Sequence, residues 1–336
     1  MKFKIKIASL FSVILLVGAI AACTDVENEN IQNPYKYSEQ YYENLRAYKD
    51  SDHQVAFMWF ADYSSSHSMG IRFLGLPDSL DICSLWGGIP SDVEGKPNTF
   101  YNPEVYKEMR FVQKVKGTKM TYVTFPGIGN NEWLKEYFPT ETMEDTLKVM
   151  QVYGDSLLRI VYNNDLDGVD LDYEINGDWM HEIFYILIEY LGQHIGPKGK
   201  DPSKMLLVDG GPFPGKTEHY EYLTYFVSQS YGVGSPYWPQ YKFDEMKGRL
   251  PSNRFIITEN MGDYYSTGGV EFTEADGNKY TETGERLGSL EGMARWNPTQ
   301  GKKAGFGAFF GQRDYNNNPP YKYTRRGIQA QNPAVK

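Results

Sequence analysis

The sequence predicts an α/β protein, a single-domain (β/α)8 TIM barrel, and three observations support that prediction. Eight short, apolar, β-rich segments recur after residue 51, and helical or loop segments separate them. Strands that alternate with helices pair in parallel through right-handed crossovers. No internal repeat or low-complexity tract marks a second domain in the 336 residues, and eight such units fit the usual size of this barrel.

Eight strands are predicted from the apolar runs: VAFMWFA (55–61), DICSLW (81–86), KMTYVTF (119–125), DGVDLDYE (167–174), KMLLVDGG (204–211), YFVSQSY (225–231), RFIITENM (254–261) and GFGAFFG (305–311). Helical spacing of apolar residues predicts crossover helices over 143–162 and 178–195, with Asp178 as the N-cap of the second. A shorter helix is predicted over 104–116. The Gly- and Thr-rich segment 262–290 has no clear period and is predicted to be a long loop or a small insertion.

The first 22 residues are predicted to be a signal peptide rather than part of the fold. Three lysines precede an apolar run that ends at Ala22 and is too short to be interpreted as a membrane span. The ending IAAC resembles the lipobox of bacterial lipoproteins, in which Cys23 would be acylated and become the first residue. An ordinary signal peptide followed by a chance cysteine is the alternative.

Residues 23–50 are polar and are predicted to be a flexible tether followed by a leading helix, so the barrel is expected to occupy 51–336. The acids Asp25, Glu27 and Glu29 resemble the export signal of surface-exposed outer-membrane lipoproteins, although a solvated linker has the same composition. We therefore expect a cell-envelope lipoprotein on the outer surface of the outer membrane, held to the membrane by a lipid on its first cysteine.

Charge and cysteine content exclude two classes of protein. The formal net charge is -9 and no basic face is evident, so nucleic acid is not an expected partner. With Cys23 acylated, only Cys83 remains as a free cysteine, so no intramolecular disulfide can form. We expect Cys83 to be a small core residue.

The segment DLDGVDLDYE combines a buried-strand pattern with many acids. Side chains of a strand alternate between its faces, so the apolar residues of this segment share one face and Asp170, Asp172 and Glu174 share the other. In a barrel the acidic face would point inward, with Glu174 nearest the C-terminal mouth, where barrel active sites lie. Three neighbouring carboxylates repel one another, so at least one pKa must rise, which is what a general acid requires.

Two other interpretations of these acids are possible. A solvent-exposed edge strand conflicts with the barrel pattern. A hard-cation site is the second, but three carboxylates at a spacing of two form a line rather than a cage. The five histidines (residues 53, 67, 181, 194 and 219) show no metal-ligand spacing. We expect neither a metal nor a cofactor.

DGVDLDYE resembles the DxxDxDxE signature of glycoside hydrolase family 18, with Asp167, Asp170, Asp172 and Glu174 in the acidic places. The resemblance spans roughly residues 51–330 and implies a retaining, substrate-assisted glycosidase. By resemblance, Glu174 would protonate the glycosidic oxygen, and the 2-acetamido oxygen of the substrate would attack the anomeric carbon. Asp172 would orient the acetamide N–H, Asp170 would share a proton with Asp172, and Asp167 would be structural.

The sixth strand carries the next element of the resemblance. Gln229 and Tyr231 lie two residues apart on one predicted face, and family members carry a tyrosine there whose hydroxyl binds the acetamide oxygen. Core packing of Tyr231 is the alternative. Just beyond it, the loop YGVGSPYWPQY brings Tyr237, Trp238 and Tyr241 together as a candidate sugar-stacking platform.

Trp59 and Trp86, at the ends of the first two strands, are further candidates for sugar contact, although burial in the core explains each equally well. Chitinases of the family usually have Trp at position 173, where this chain has Tyr, and a Ser-x-Gly-Gly turn where it has TFPGIGN. They also carry a Trp floor on the eighth strand, where this chain offers one of three residues, Phe309, Phe310 or Tyr315.

These departures favour the endo-β-N-acetylglucosaminidase branch, which cleaves between the two core GlcNAc residues of N-glycans. The expected partner is therefore an N-glycan or another GlcNAc-containing oligosaccharide, with outer-membrane glycan-import proteins as neighbours by analogy alone. A chitinase or chitobiosidase is one alternative. A non-catalytic glycan-binding surface lipoprotein is the other, but such relatives commonly lose the motif Glu or an Asp, and both are present here.

Overall fold

The computed structural model describes residues 37–63, 72–91, 102–126, 134, 143–174 and 178–334. The predicted signal peptide, Cys23 and the acidic stretch behind it lie outside these residues. Most of TFPGIGN also lies outside them. Residues 39–336 form one compact unit, separate from the segment that ends at Ser38.

Eight parallel strands close into a barrel in which each strand pairs with its sequence neighbours and the last strand pairs with the first. The strands are β1 (Val55–Phe60), β2 (Ile82–Leu85), β3 (Lys119–Thr124), β4 (Gly168–Tyr173), β5 (Met205–Gly210), β6 (Tyr225–Gln229), β7 (Phe255–Asn260) and β8 (Gly305–Phe309). All eight predicted strands are confirmed, and so is the (β/α)8 barrel.

The lower half of the barrel interior is filled by apolar side chains from most of the strands. They form one cluster: Phe57, Trp59, Ile82, Val123, Leu207, Val227, Ile256 and Ala304. Glycines of β8 make room for this cluster, because a Cβ on Gly307 would lie 2.6 Å from the carbonyl oxygen of Phe57. The apolar filling ends below the C-terminal mouth, so the polar residues further along the strands form a layer above it.

Helices cover the outside of the barrel. Their bounds are α1 (Glu39–Lys49), α2 (Pro103–Lys114), α3 (Met143–Asn163), α4 (Asp178–Gly192), α5 (Thr217–Glu221), α6 (Tyr237–Asp244), α7 (Met261–Tyr264), α8 (Ser289–Arg295) and α9 (Lys322–Gln331). The three predicted crossover helices are confirmed as α2, α3 and α4. The third ends three residues before its predicted end, at Gly192, where a Cβ would lie 2.3 Å from the ring of Tyr222.

The leading helix α1 belongs to the barrel unit rather than to a tether. Lys49 Nζ donates to the carbonyl oxygen of Leu80 and to Thr118 Oγ1, both at 2.7 Å. Arg46 donates to the carbonyl oxygen of Val115 at 2.8 Å. The predicted boundary at residue 50 is therefore moved to Glu39, because α1 supplies cations to carbonyl groups at the bottom of the barrel.

The segment 262–290 is a small insertion, as predicted. It contains most of α7 and two antiparallel bridges, Glu271 to Gly288 and Tyr280 to Arg286. Cys83 is buried on the outer face of β2, where burial raises the pKa of its thiol. In the part of the chain that the structure describes, no helix combines the length and apolar character needed to cross a membrane.

Candidate active site

The fourth strand separates apolar from acidic side chains as its alternation predicts. Val169, Leu171 and Tyr173 pack outward into the apolar layer between sheet and helices. The Tyr173 ring lies 4.6 Å from the ring of Phe184, and its hydroxyl hydrogen-bonds with His181 Nδ1. The tyrosine that replaces the usual tryptophan therefore faces the helices, away from the acidic side of the strand.

Asp170 lies at the floor of the acidic layer and is fully buried. Its Oδ2 accepts hydrogen bonds from Trp59 Nε1 at 3.0 Å and from Ser84 Oγ at 2.7 Å. Trp59 is only 1% exposed, so its ring is not open to a sugar. The expected sugar contact of Trp59 is thus corrected to a hydrogen bond that orients Asp170, while Ser84 is a further contributor that the sequence did not single out.

The next strand adds a third aspartate to this layer. Asp209 on β5 stands in register with Asp172 on β4, and both are buried. Gln229 Nε2, at the end of β6, donates to Asp172 Oδ1 at 3.2 Å and to Asp209 Oδ1 at 2.8 Å. Asp209 was not predicted, although its place near the end of KMLLVDGG matches that of the motif acids near the end of β4.

Burial raises the pKa of all three aspartates. Burial is the largest cause for Asp170 and Asp172, and Glu174 adds an unfavourable charge at Asp172. The pKa of Asp209 is raised well above its ordinary value, by burial and then by the charges of Asp170 and Asp172. The proton sharing expected between Asp170 and Asp172 stays a prediction. The structure adds Asp209, which faces both of them from the adjacent strand.

Glu174 stands one residue beyond β4 and is exposed. Its backbone N–H donates to the carbonyl oxygen of Asp172 at 3.2 Å. Its carboxyl therefore lies above the buried aspartates, next to open solvent at the C-terminal mouth.

Tyr231 faces the same acids from the loop after β6. Its ring stacks on that of Phe309, with 5.9 Å between centroids and 22° between planes. Burial raises the pKa of its hydroxyl, and the charges of Asp209, Asp172 and Glu174 raise it further. The hydroxyl is thus a protonated donor close to the carboxyl layer.

Glu259 of β7 hydrogen-bonds to the loop that carries Tyr231 and fixes its position. Glu259 Oε1 accepts from the backbone N–H of Gly232 at 2.8 Å and of Asn260 at 2.7 Å. Ser289 Oγ donates to Oε2. Glu259 is fully buried. Its carboxyl group therefore fixes the turn next to Tyr231 from a position inside the protein.

Phe309 is the aromatic residue of the eighth strand that borders the site. Ring centroids lie 6.0 Å away at Trp59, 5.4 Å away at Trp86 and 4.4 Å away at Phe310. Trp86 is partly exposed and remains a candidate for sugar contact. Tyr315 instead packs against Tyr321 among the outer helices, with 5.9 Å between centroids.

An exposed aromatic platform lies on α6, directly after the loop of Tyr231. Tyr237, Trp238 and Tyr241 are 65%, 50% and 48% exposed, and their centroids lie 5.1 to 6.5 Å apart. Lys242 Nζ of the same helix donates to the carbonyl oxygen of Gln229 at 2.8 Å. This bond connects the platform to the strand end that contacts the aspartates.

Asp167 lies at the other end of β4, far from the mouth. Its Oδ2 accepts from the backbone N–H of Met120 at 2.8 Å and from Gln113 Nε2 at 2.7 Å. These bonds join β3, β4 and α2 at the bottom of the barrel. Among the described residues, no group of three His, Cys, Asp or Glu side chains is arranged to hold a metal ion.

Comparison with known proteins agrees with this geometry. A family model described as glycoside hydrolase family 18, BT1044-like, matches residues 21–330. Endo-beta-N-acetylglucosaminidase F2 of Elizabethkingia meningoseptica is 26% identical over 324 residues, which cover 86% of this chain and 85% of that protein.

Two solved structures share the fold. The selenomethionine structure of a BT1044 variant superposes with a TM-score of 0.71 at 22% identity, and the match covers 88% of this chain and 93% of that one. A variant endo-beta-N-acetylglucosaminidase from Cordyceps militaris, in complex with fucosyl-N-acetylglucosamine-Asn, superposes with a TM-score of 0.62 at 19% identity. That match covers 89% of this chain and 97% of the other.

Proposed function

The chain belongs to glycoside hydrolase family 18, and from this membership and the site geometry we propose that it is a retaining, substrate-assisted endo-β-N-acetylglucosaminidase that cleaves the GlcNAc-β-1,4-GlcNAc core of N-glycans. The observation that carries the proposal is the ordered stack of carboxyls on β4. Asp170 is fully buried, Asp172 is 1% exposed and Glu174 is open to the mouth. Of these three carboxyls, Glu174 is the exposed one, so we assign to it the proton exchange with the glycosidic oxygen.

In the first step, protonated Glu174 gives its proton to the glycosidic oxygen as the bond from that oxygen to the anomeric carbon breaks. The 2-acetamido oxygen of the same sugar forms the new bond to the anomeric carbon, which produces an oxazolinium ion. Ionised Asp172 accepts the acetamide N–H and stabilises the positive charge. The Tyr231 hydroxyl donates to the acetamide oxygen and aims it at the anomeric carbon.

In the second step, the Glu174 carboxylate takes a proton from a water molecule that attacks the anomeric carbon. The bond between that carbon and the acetamide oxygen breaks, and the acetamide is restored. Two displacements at one carbon give net retention. No protein nucleophile is required, because the acetamide oxygen of the substrate forms the bond to the anomeric carbon.

The N-glycan core is favoured over chitin by the walls of the site. Phe309, which is smaller than the tryptophan usual in chitinases, borders the acids from β8. The named activity of the Elizabethkingia meningoseptica relative supports the same choice. The platform of Tyr237, Trp238 and Tyr241 offers exposed ring faces on which further sugars of a branched glycan can stack.

The amino-terminal sequence supports a location for this activity. We propose that Cys23 carries a lipid that holds the enzyme to the cell envelope, on the outer surface of the outer membrane, because Cys23 is the last residue of IAAC and acids follow it. Labelling with a fatty-acid analogue in wild-type and Cys23→Ala cells would test the lipid. Protease treatment of intact cells would test the surface location.

Digestion of a glycan panel by the protein that lacks residues 1–22 tests the activity. The panel holds high-mannose, hybrid and complex N-glycoproteins together with chitin oligomers, and mass spectrometry identifies the products. We expect released glycans that end in a single GlcNAc, and loss of turnover by about 10²- to 10⁴-fold in Glu174→Gln. Glu182→Gln, a change on the outer helix α4, is the matched control and is expected to keep wild-type turnover.

Cleavage of chitin oligomers alone would replace the proposal with a chitinase or chitobiosidase. Absence of product from every substrate, with glycans still bound, would identify a binding protein on an inactive barrel. Equal turnover in Glu174→Gln and in the wild type would show that the general acid is another group.

A further inference from the structure

We propose that Asp209 is a positioning residue that carries the proton of the three-aspartate cluster, so that Asp170 and Asp172 can both be ionised when substrate binds. The inference rests on the proposed function, because it concerns the charge that Asp172 presents to the acetamide group. It differs from proton sharing within the motif, since the proton belongs to a side chain on the neighbouring strand.

The geometry places Asp209 in contact with both motif aspartates. It stands opposite Asp172 across the parallel pair of β4 and β5, and it is fully buried. Gln229 Nε2 donates to both Asp172 and Asp209, at 3.2 Å and 2.8 Å. Asp172 and Asp209 thus share one amide group as a common donor, while Asp170 lies next to them with donors of its own.

The distribution of donors shows where a proton is needed. Asp170 Oδ2 has two donors, Trp59 and Ser84. Within the described residues, Asp170 Oδ1 and Asp209 Oδ2 meet no donor at all, although the two side chains lie within hydrogen-bonding reach of each other. Ionised carboxylates cannot donate, so this contact is a hydrogen bond only if one of the two carboxyls holds a proton.

Asp209 is the better holder of that proton. Asp170 receives two donated hydrogen bonds, which favour its ionised form, whereas Asp209 receives one from the described part of the chain, the bond from Gln229. The titratable groups that face Asp209 are Asp170 and Asp172 from β4 and Tyr231 from the loop after β6, while Gln229 from β6 is uncharged. The charges of both acids disfavour a negative charge on Asp209, and the pKa of Asp209 is raised accordingly.

A neutral Asp209 has a direct consequence for the reaction. A protonated Asp209 has one O–H, which it can donate to Asp170 or to Asp172, and either bond favours the ionised form of its acceptor. Ionised Asp172 can then accept the acetamide N–H. Loss of the donor would raise the pKa of Asp172 and leave it protonated over part of the working pH range.

Two variants separate this role from simple packing. Asp209→Asn keeps a neutral side chain that can donate, and Asp209→Leu keeps a similar volume without a donor. We measure kcat/KM against pH on the N-glycan that the wild type cleaves, with Asp201→Asn, in the turn before the same strand, as the control. Each variant is also checked for folding by its melting temperature.

We expect Asp209→Asn to remain within a few-fold of the wild type with the acidic limb of its pH profile in place. Asp209→Leu should lose about 10- to 100-fold, and its acidic limb should move to higher pH. An Asp209→Asn variant that folds but loses more than 100-fold would overturn the proposal, because it would show that a charged Asp209 is required. So would an Asp209→Leu variant that folds and keeps its acidic limb. If Asp209→Leu does not fold, the profile of Asp209→Asn decides alone.

A spectroscopic measurement tests the proton without using activity. Infrared spectra of the wild type at neutral pH should show the carbonyl band of a buried, protonated carboxylic acid, and Asp209→Asn should lack it. A band that persists in Asp209→Asn would place the proton on another acid and contradict the assignment. If the wild type cleaves no glycan, the proposed function fails, yet this spectrum still decides where the proton lies.

Discussion

Trp59 and Tyr231 are both aromatic residues at the site, but their surroundings give them different uses. Trp59 is buried and donates its indole N–H to Asp170. Tyr231 stacks on Phe309 and keeps a hydroxyl among the acids. The single polar atom on each ring, rather than the ring alone, therefore determines what each residue does.

At the scale of one residue, Tyr231→Phe keeps the ring and removes the hydroxyl. Stacking on Phe309 should persist, so stability should change little, whereas loss of one donor to the developing intermediate should lower kcat by about 10²-fold. Steady-state kinetics on the released glycan measure this. The control is Tyr264→Phe, which removes a hydroxyl from α7 rather than from the acid layer. A Tyr231→Phe enzyme with wild-type kcat would exclude the hydroxyl from the reaction.

At the scale of elements, the site consists of strand ends and of the loops that follow them. β4 provides the acids, β5 the third aspartate, β6 an amide and a tyrosine, and β8 an aromatic wall. The rigid barrel sets the spacing of these ends, while the loop after β6 is set by contacts with Glu259. Glu259 thereby influences the position of Tyr231, which lies in that loop.

Glu259→Ala should leave the backbone N–H groups of Gly232 and Asn260 without this acceptor and release the turn at Gly232. We expect kcat/KM to fall about 10-fold or more, with a lower melting temperature. Glu259→Gln retains an acceptor for these groups and can donate to Ser289, so it should recover most of the activity. The comparison is made on folded protein by kinetics and by thermal unfolding. Equal activity in Ala and Gln variants would mean that Glu259 does not position the loop.

The leading helix allows a second prediction at this scale. Removal of residues 1–50 deletes α1 and exposes the apolar surface that Tyr42 and Leu45 of this helix cover. It also leaves the carbonyl groups of Leu80 and Val115 without their donors, Lys49 and Arg46. This truncation should unfold at a clearly lower temperature than one that removes residues 1–36. Calorimetry of the two proteins provides the measurement. Equal melting temperatures would show that α1 does not stabilise the barrel and belongs to the tether.

At the scale of the whole molecule, the acids of the site are expected to lower stability as pH rises. Burial raises the native pKa of Asp170, Asp172 and Asp209 above the ordinary value of about 3.9. Above that value the native protein binds more protons than the unfolded chain. The free energy of unfolding therefore decreases with increasing pH until the native acids have ionised. The buried aspartates that serve the reaction thus also lower the stability of the folded protein at higher pH.

Asp209→Asn should reduce that dependence, because an amide cannot ionise. Urea unfolding at pH 5 and at pH 8 should give a smaller loss of stability in the variant than in the wild type. Asp201→Asn is a suitable control, since the pKa of Asp201 is lowered and its effect falls below this pH window. Parallel curves for wild type and Asp209→Asn would show that Asp209 does not titrate differently in the two states.

The sequence by itself determined the barrel, its eight strands and the position of the motif acids, because alternation along a strand and apolar spacing along a helix are local properties. The inward direction of Asp170, the outward direction of Tyr173 and the exposure of Glu174 follow from that alternation. These predictions required no knowledge of which strands are neighbours.

Tertiary structure alone decided what faces these acids across the barrel. Asp209 is 37 residues from Asp172 and Trp59 is 111 residues from Asp170, and only barrel closure and strand register bring each pair together. The depth of the apolar filling likewise buried Trp59 and left Trp86 partly exposed. Proton sharing depends on such contacts between strands, because two carboxyls exchange a proton only at hydrogen-bonding distance, and no pattern along one strand specifies that distance.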